Sequence, residues 1–108
     1  MMTIKEAETL IEKAHSQVIA NNPFEESDEL HEAYFTTTEF IRLALLTHAR
    51  IHAQKNGEIS RHTLLTILNV AEAAIESLVL PDGTLKASVD NYTKALSDGG
   101  YDNELQPL

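Results

Sequence analysis

Residues 37–64 read TTEFIRLALLTHARIHAQKNGEISRHTL, and this stretch decides the fold. In its first half, apolar residues recur at intervals of three and four, the spacing that keeps side chains on one stripe of an α-helix. Asn56 and Gly57 end this pattern, because glycine readily adopts the left-handed conformation that follows a helix C-terminus. Ser60 is a preferred N-cap residue and starts a second helical pattern. The stretch therefore predicts a hairpin of two helices.

The first helix of this hairpin extends back toward the N-terminus of the chain. Its predicted core-facing stripe consists of Leu30, Tyr34, Thr37, Ile41, Ala44, His48 and Ile51. This stripe is compatible with one continuous helix of about 28 residues. Thr36 and Glu39 also have the spacing of a capping box, in which each side chain accepts from the other residue's backbone N–H. A break or kink near Thr36 is therefore the alternative.

Two more helices are predicted outside the hairpin. Thr3 and Glu6 have capping-box spacing and mark the start of a helix over residues 3–20, which ends at the Asn-Asn-Pro sequence that follows. The hairpin's second helix is predicted to end near Val79, before a Pro-Asp-Gly turn. A fourth helix is predicted over about residues 84–96. The core stripe of the hairpin's second helix consists of Leu64, Leu68, Ala71, Ile75 and Leu78.

These four amphipathic helices with short connections predict an all-α fold. The economical way to bury four apolar stripes against each other is a small antiparallel helical bundle. A chain of 108 residues has room for one such domain. We expect residues 1–97 to form the bundle and residues 98–108 to form a mobile C-terminal tail.

Composition excludes several classes of function. The 17 acidic and 8 basic side chains give a formal charge of −9, which opposes binding to phosphate backbones and to anionic lipid. The chain has no cysteine, so disulfides, thiolate metal sites and cysteine nucleophiles are excluded. Its longest apolar run, residues 43–46, is far shorter than a membrane span of ~20 residues. We therefore predict a cytoplasmic protein that uses no cofactor and contacts neither membrane nor nucleic acid directly.

Two leucines of the hairpin lie outside the predicted core stripe. At 100° per residue, Leu43 and Leu46 point away from Ile41, on the side that also carries two arginines. Apolar anchors combined with arginine are typical of protein-binding hot spots. The residues predicted to bind a partner on this side are Leu43, Leu46, Arg42 and Arg50. The alternative is that another helix of the same chain covers the two leucines.

The hairpin's second helix has a back face of small side chains. Small side chains let another helix approach closely, and that helix could belong to this chain or to a second copy. A homodimer follows if the back faces of both hairpin helices are only half covered. The small residues of this back face are Thr63, Thr66, Val70, Ala73, Ala74 and Ser77.

Charge is distributed in blocks along the chain. Residues 1–40 carry a net charge of −7, residues 41–63 of +3 and residues 64–108 of −5. The basic block and its histidines would form a cationic island at one end of the bundle, and such an island could bind an anion. Pairing of its bases with neighbouring acids such as Glu39 and Glu58 is the alternative. The members of the island are Arg42, Arg50, Lys55, Arg61, His48, His52 and His62.

An acidic run precedes the hairpin. Carboxylates near a helix N-terminus are stabilising by ~0.3–1 kcal/mol each, and this is a sufficient structural reason for the run. The same surface could occupy a basic site on a partner protein, so an acidic mimic of nucleic acid is an alternative function. The acidic residues predicted to bind a partner are Glu25, Glu26, Asp28 and Glu29.

Three histidines give a further alternative. His48 and His52 stand one turn apart, and the hairpin turn sets His62 across from them, so a three-histidine metal site is geometrically allowed. The sequence has no His-Glu-x-x-His motif, and Arg50 would repel a cation. A neutral histidine that is hydrogen-bonded in the core is the favoured interpretation, so no metal is predicted.

The run from His62 to Leu64 resembles the phosphorylatable segment of histidine phosphotransfer domains, which are small four-helix bundles. The resemblance rests on His62 and Leu64, whereas Leu65 and Thr66 replace the lysine and glycine of those domains. The sequence has neither a glycine-rich phosphate cradle nor a nucleophile elbow. We therefore predict a protein that is not an enzyme. Its predicted function is protein–protein interaction, as a small acidic regulator, adaptor or inhibitor of a larger assembly, a type common among products of phages and mobile elements.

Overall fold

Four helices make up the described part of the chain. The computed structural model describes residues 1–76 and 83–97, and the predicted all-α bundle is confirmed. Ser77, Leu78, the predicted helix end at Val79 and the predicted tail over residues 98–108 lie outside the described residues. The helices are α1 (Ile4–Ala20), α2 (Asp28–Asn56), α3 (Arg61–Ile75) and α4 (Thr84–Ser97).

Local sequence signals fix the start of α1 and both sides of the α2–α3 turn as predicted. The Thr3 hydroxyl accepts from the Glu6 N–H at 3.2 Å, and the Glu6 carboxylate accepts from the Thr3 N–H at 2.9 Å, so the capping box is confirmed. At the start of α3, the Ser60 hydroxyl accepts from the Thr63 N–H at 3.0 Å. Gly57 follows α2 with a φ of 82°, in the left-handed region. The hairpin of α2 and α3 is therefore defined by residues that are close in sequence.

The four helices pack so that α2 and α4 contact each other across the middle of the bundle. These two helices each contact all three others, whereas α1 and α3 lie at opposite corners. Two backbone hydrogen bonds between Met2 and Ile59, of 2.8 and 2.9 Å, also hold the α2–α3 turn against the start of the chain. The largest fully buried side chains of the helices are Tyr34, Tyr92, Leu10, Ile11, Ile41, Leu45, Leu64, Leu68 and Leu96.

α2 is one continuous helix of 29 residues. The prediction of a single long helix is confirmed, and the alternative of a break near Thr36 is wrong. Glu39 accepts from Arg42 Nη1 at 3.2 Å, and Glu39 Oε1 lies 3.8 Å from His15 Nε2. The carboxylate is therefore used for contacts along and between helices, and not for capping a new helix start at Thr36.

The core stripe of α2 departs from the predicted stripe in its second half. Tyr34 and Ile41 are buried as predicted, but Ala44 is half-buried, and His48 and Ile51 are exposed. The predicted stripe repeats every seven residues, or 3.5 per turn, whereas an α-helix has 3.6, so the stripe rotates by about 20° per heptad. The prediction that His48 and Ile51 face the core is therefore wrong. The core positions of this half are Leu45, Leu46, Ala49 and Ala53.

The helix α2 is long enough to be compared with a membrane-spanning helix. Its 29 residues exceed the ~20 residues that a bilayer requires, but charged side chains occur along the whole helix. Within residues 1–76 and 83–97, none of the helices combines that length with the hydropathy needed to cross a membrane.

Candidate functional site

An apolar surface on the outer side of the α2–α3 hairpin is the candidate site. Its large apolar side chains are strongly exposed: 45% for Phe40, 49% for Leu43, 57% for Ile51 and 63% for Val70. In the described part of the chain, Met1 is the one further large apolar residue with such exposure. We define the α2–α3 face as Phe40, Leu43, Ala44, His48 and Ile51 of α2 with Thr66, Ile67, Val70 and Ala74 of α3.

A groove of about 440 Å³ runs along this face between the two helices. Phe40, Ala44 and His48 form the α2 wall, and residues from Thr66 to Ile75 form the α3 wall. Among the described residues, the walls include no Asp, Glu, Lys or Arg side chain. An apolar groove without charged groups is suited to contact with another apolar surface.

The face exists because α2 carries two apolar stripes. Phe40, Ala44 and Ile51 lie on one side of the helix, about 100° away from the buried stripe that contains Ile41 and Leu45. Contacts with α1, α3 and α4 bury the stripe that contains Ile41 and Leu45. The stripe that contains Phe40 and Ile51 therefore stays at the surface beside α3.

The two leucines predicted to bind a partner point in different directions. Leu43 is 49% exposed on the α2–α3 face, whereas Leu46 is 5% exposed and lies where α1 meets α2. Three positions on a helix separate two side chains by about 60° around its axis, and this rotation is enough to place Leu46 beside α1. Leu43 is therefore accessible to a partner, and Leu46 is enclosed by its own chain.

The two arginines predicted to bind a partner join α2 to α1. Arg42 donates to both carboxylate oxygens of Glu12, at 2.6 and 2.9 Å, and also to Glu39 at 3.2 Å. Arg50 Nε donates to Glu8 at 2.5 Å. Hydrogen bonding with Arg42 lowers the pKa of Glu12, and the same pair raises the pKa of Arg42. For these two arginines, the expected pairing with neighbouring acids is present.

The rest of the cationic island is spread over the end of the hairpin. The Arg61 side chain donates to the Leu96 carbonyl at the end of α4. Lys55 is exposed in the last turn of α2 and makes no ion pair with another described residue. Lys55 is therefore a cation at the C-terminal end of α2 that a partner can reach.

The acidic candidates lie around the start of α2. All four are exposed, and none forms an ion pair within residues 1–76 and 83–97. Asp28 and Glu29 occupy the first turn, where carboxylates interact favourably with the helix dipole. Glu29 points in the same direction as Phe40 within about 20°, because 11 helical positions complete slightly more than three full rotations. The four acidic candidates are Glu25, Glu26, Asp28 and Glu29.

The three histidines considered as metal ligands are not brought together. His48 is exposed on the α2–α3 face, His62 is exposed at the start of α3, and His52 lies 3.5 Å from the Asn56 side chain. Across the described residues, no group of three His, Asp or Glu side chains is arranged to hold a metal ion.

A polar network between α1, α2 and α4 was missed from the sequence. The Tyr92 hydroxyl donates to the Thr38 carbonyl at 3.1 Å and lies 2.6 Å from His15 Nδ1. Burial raises the pKa of Tyr92 and lowers the pKa of His15, so both side chains are neutral near pH 7. The sequence did offer a signal: Tyr92 stands at helical spacing from Leu85, Val89 and Leu96, and a buried tyrosine hydroxyl requires a hydrogen-bond partner.

Comparison with known proteins gives no family: no family model, no curated protein and no solved structure matches the chain. The functional conclusion therefore rests on the geometry and chemistry of this chain alone.

Proposed function

We propose that this chain is a non-enzymatic protein–protein interaction module, a small regulator, adaptor or inhibitor of a larger assembly in the cytoplasm. The proposed contact surface is the α2–α3 face. The observation that carries the proposal is the exposure of four large apolar side chains on the hairpin, two of which, Phe40 and Val70, line a groove without Asp, Glu, Lys or Arg. Single exposed apolar residues are ordinary, whereas a contiguous apolar patch is typical of an interaction site.

Burial of this face would supply part of a binding free energy. Full burial of a Val, Leu, Ile or Phe side chain is worth about 1.5–3 kcal/mol, and the four side chains are each about half exposed. Covering them therefore contributes about 3–6 kcal/mol before the cost of association. Micromolar affinity corresponds to about 8 kcal/mol, so polar groups at the edge of the face must contribute as well.

Arg42 and Arg50 act in this proposal as positioning residues. Their hydrogen bonds with Glu12 and Glu8 hold α1 against α2. This arrangement encloses Leu46 and leaves the opposite side of α2 open beside α3. The two arginines thus support the packing that leaves the α2–α3 face open, without needing to touch the partner.

The acidic segment supports a second candidate function. Glu25, Glu26, Asp28 and Glu29 are exposed without ion pairs in the described part of the chain, an arrangement that suits a basic site on another protein. A nucleic-acid mimic of this kind would bind through the start of α2 and weaken as salt is added. Binding through apolar burial is not weakened in this way. Loss of most binding at high salt therefore favours the second candidate, whereas the first should keep the part of its affinity that apolar burial supplies.

The first candidate predicts that one charge on the α2–α3 face abolishes partner capture. Val70→Asp would place a carboxylate in the contact, where burial without a partner is costly. Because Val70 is 63% exposed in the single chain, the free energy of unfolding should change by no more than about 0.5 kcal/mol. Tagged wild-type and variant chains are incubated with host lysate, and the proteins that each retains are quantified by mass spectrometry. An untagged second copy of this chain is counted among the retained proteins.

Asn69→Asp is the matched control. It adds the same charge at the adjacent exposed position of α3, about 100° around the helix from Val70. Proteins that wild type and Asn69→Asp retain, and that Val70→Asp loses, support the proposal. If Val70→Asp retains the same proteins as wild type, or if wild type retains no protein, the proposal is contradicted.

A further inference from the structure

The partner that best matches the α2–α3 face is a second copy of this chain. We propose that two copies pack face to face through this surface, with the two α2 helices antiparallel and the two-fold axis at the level of Arg42. This inference rests on the proposed function and identifies its partner. Charge and size complementarity along α2 carry it.

The two ends of the contact surface on α2 carry opposite charge. Glu29 lies at the N-terminal end of α2 and Lys55 at the C-terminal end, both exposed and neither in an ion pair with a described residue. Around the helix, Glu29 lies within about 20° of Phe40 and Lys55 within about 60°, so both charges border the face. Antiparallel packing brings each Lys55 to the partner's Glu29. Parallel packing would oppose like charges.

The same register also opposes large side chains to small ones. Position 42 lies midway between Glu29 and Lys55 along α2. Its arginine turns toward Glu12 on α1, so the centre of the contact carries no charge. Antiparallel packing about this position sets Ile51 against the partner's Ala33. It also sets Phe40 against the partner's Ala44. Charge and size therefore favour one register, as a self-complementary two-fold interface requires.

The size of the face indicates that the charged ends belong to the contact. Two helices side by side are about 20 Å wide, and Phe40 to Ile51 spans about 17 Å, which gives a projected area of roughly 340 Å². A standard interface buries about 800 Å² per partner, more than twice that area. Extension of the contact from Glu29 to Lys55 lengthens it to about 39 Å. The Lys55–Glu29 pairs are therefore part of the proposed interface.

Charge reversal at either end should weaken the dimer, and mixing the two reversed chains should restore it. In a homodimer of Lys55→Glu, two carboxylates face each other at each end of the interface. In a homodimer of Glu29→Lys, two ammonium groups face each other there. Each variant alone should dimerise about tenfold more weakly than wild type in sedimentation velocity experiments. In an equimolar mixture, both ends of the heterodimer again pair opposite charges, so its affinity should return to within about threefold of wild type.

Lys5→Glu is the matched control, because it reverses an exposed lysine on α1, away from the face, and should leave dimerisation unchanged. Circular dichroism melting checks that each variant is folded. A wild-type chain that is monomeric at every concentration, or a mixture that is no more dimeric than its components, overturns the inference. If a monomeric wild type still retains another protein through Val70, the proposed function stands without the dimer; if it retains none, both are overturned.

Discussion

At the scale of the residue, the charge of His15 is linked to folding. Its Nδ1 lies 2.6 Å from the Tyr92 hydroxyl, and its Nε2 lies 3.8 Å from Glu39. Burial is the main cause of its lowered pKa, with Arg42 acting in the same direction, whereas Glu39 and Glu12 oppose the shift. The folded protein therefore favours neutral His15, with Tyr92 as its hydrogen-bond partner.

We predict that this histidine makes the protein less stable in mild acid. Below the ordinary histidine pKa of about 6.5, the unfolded chain binds a proton that folded His15 binds only at lower pH. The stabilising contribution is complete above that pH and is lost as the pH falls toward the lowered pKa of the folded state. His15→Gln does not titrate, so its free energy of unfolding should fall less than that of wild type between about pH 7 and pH 5.

Urea unfolding at the two pH values measures this difference. His62→Gln removes an exposed histidine from the start of α3 and serves as the control, with a pH dependence expected to match wild type. An equal loss of stability in wild type and His15→Gln would show that His15 does not contribute.

At the scale of the element, the ends of the helices were predictable because their signals are local. The capping box of Thr3 and Glu6, the Ser60 cap and the left-handed Gly57 each involve residues within one turn of a helix end. The outward direction of Phe40 and Ile51 was not predictable in this way. It depends on where α1, α3 and α4 contact α2, which spacing along one helix does not reveal.

Gly57 offers a test of the hairpin turn. No atom lies within 4 Å of the position that an added Cβ would take, so a substitution there meets backbone strain and no steric clash. We predict that Gly57→Ala lowers the free energy of unfolding by about 1 kcal/mol, because alanine disfavours a positive φ. Gly57→Asn should cost less, since asparagine tolerates this conformation. Chemical denaturation distinguishes the two, and equal stability of all three proteins would contradict the proposed turn.

At the scale of the whole molecule, the candidate site was predicted in part. The sequence indicated an uncovered apolar side on α2 and a back face of small residues on α3, and it included Leu43 and Val70. It grouped Leu46 with Leu43 because the sequence alone does not show which side of α2 is covered by α1. The bundle covers one of the two and exposes the other, at 5% and 49%.

The proposed dimer also explains why one long helix forms most of the contact. α2 brings Glu29 and Lys55 to opposite ends of a single rigid element, about 39 Å apart. A break near Thr36 would have separated the acidic end from the apolar centre. Continuity of α2 therefore keeps charge and apolar contacts in one register across the two-fold axis.

Disulfide cross-linking at position 43 tests the central claim most directly. The chain has no cysteine, so Leu43→Cys introduces a single thiol on the α2–α3 face. In the proposed register the two copies of position 43 are offset by about 3 Å along α2, whereas those of Thr47 are offset by about 15 Å, beyond the reach of a disulfide. Under mild oxidation, we predict disulfide-linked dimers for Leu43→Cys and few for Thr47→Cys, which is also an exposed position. Equal cross-linking of the two variants, or none through position 43, would contradict the proposed two-fold contact.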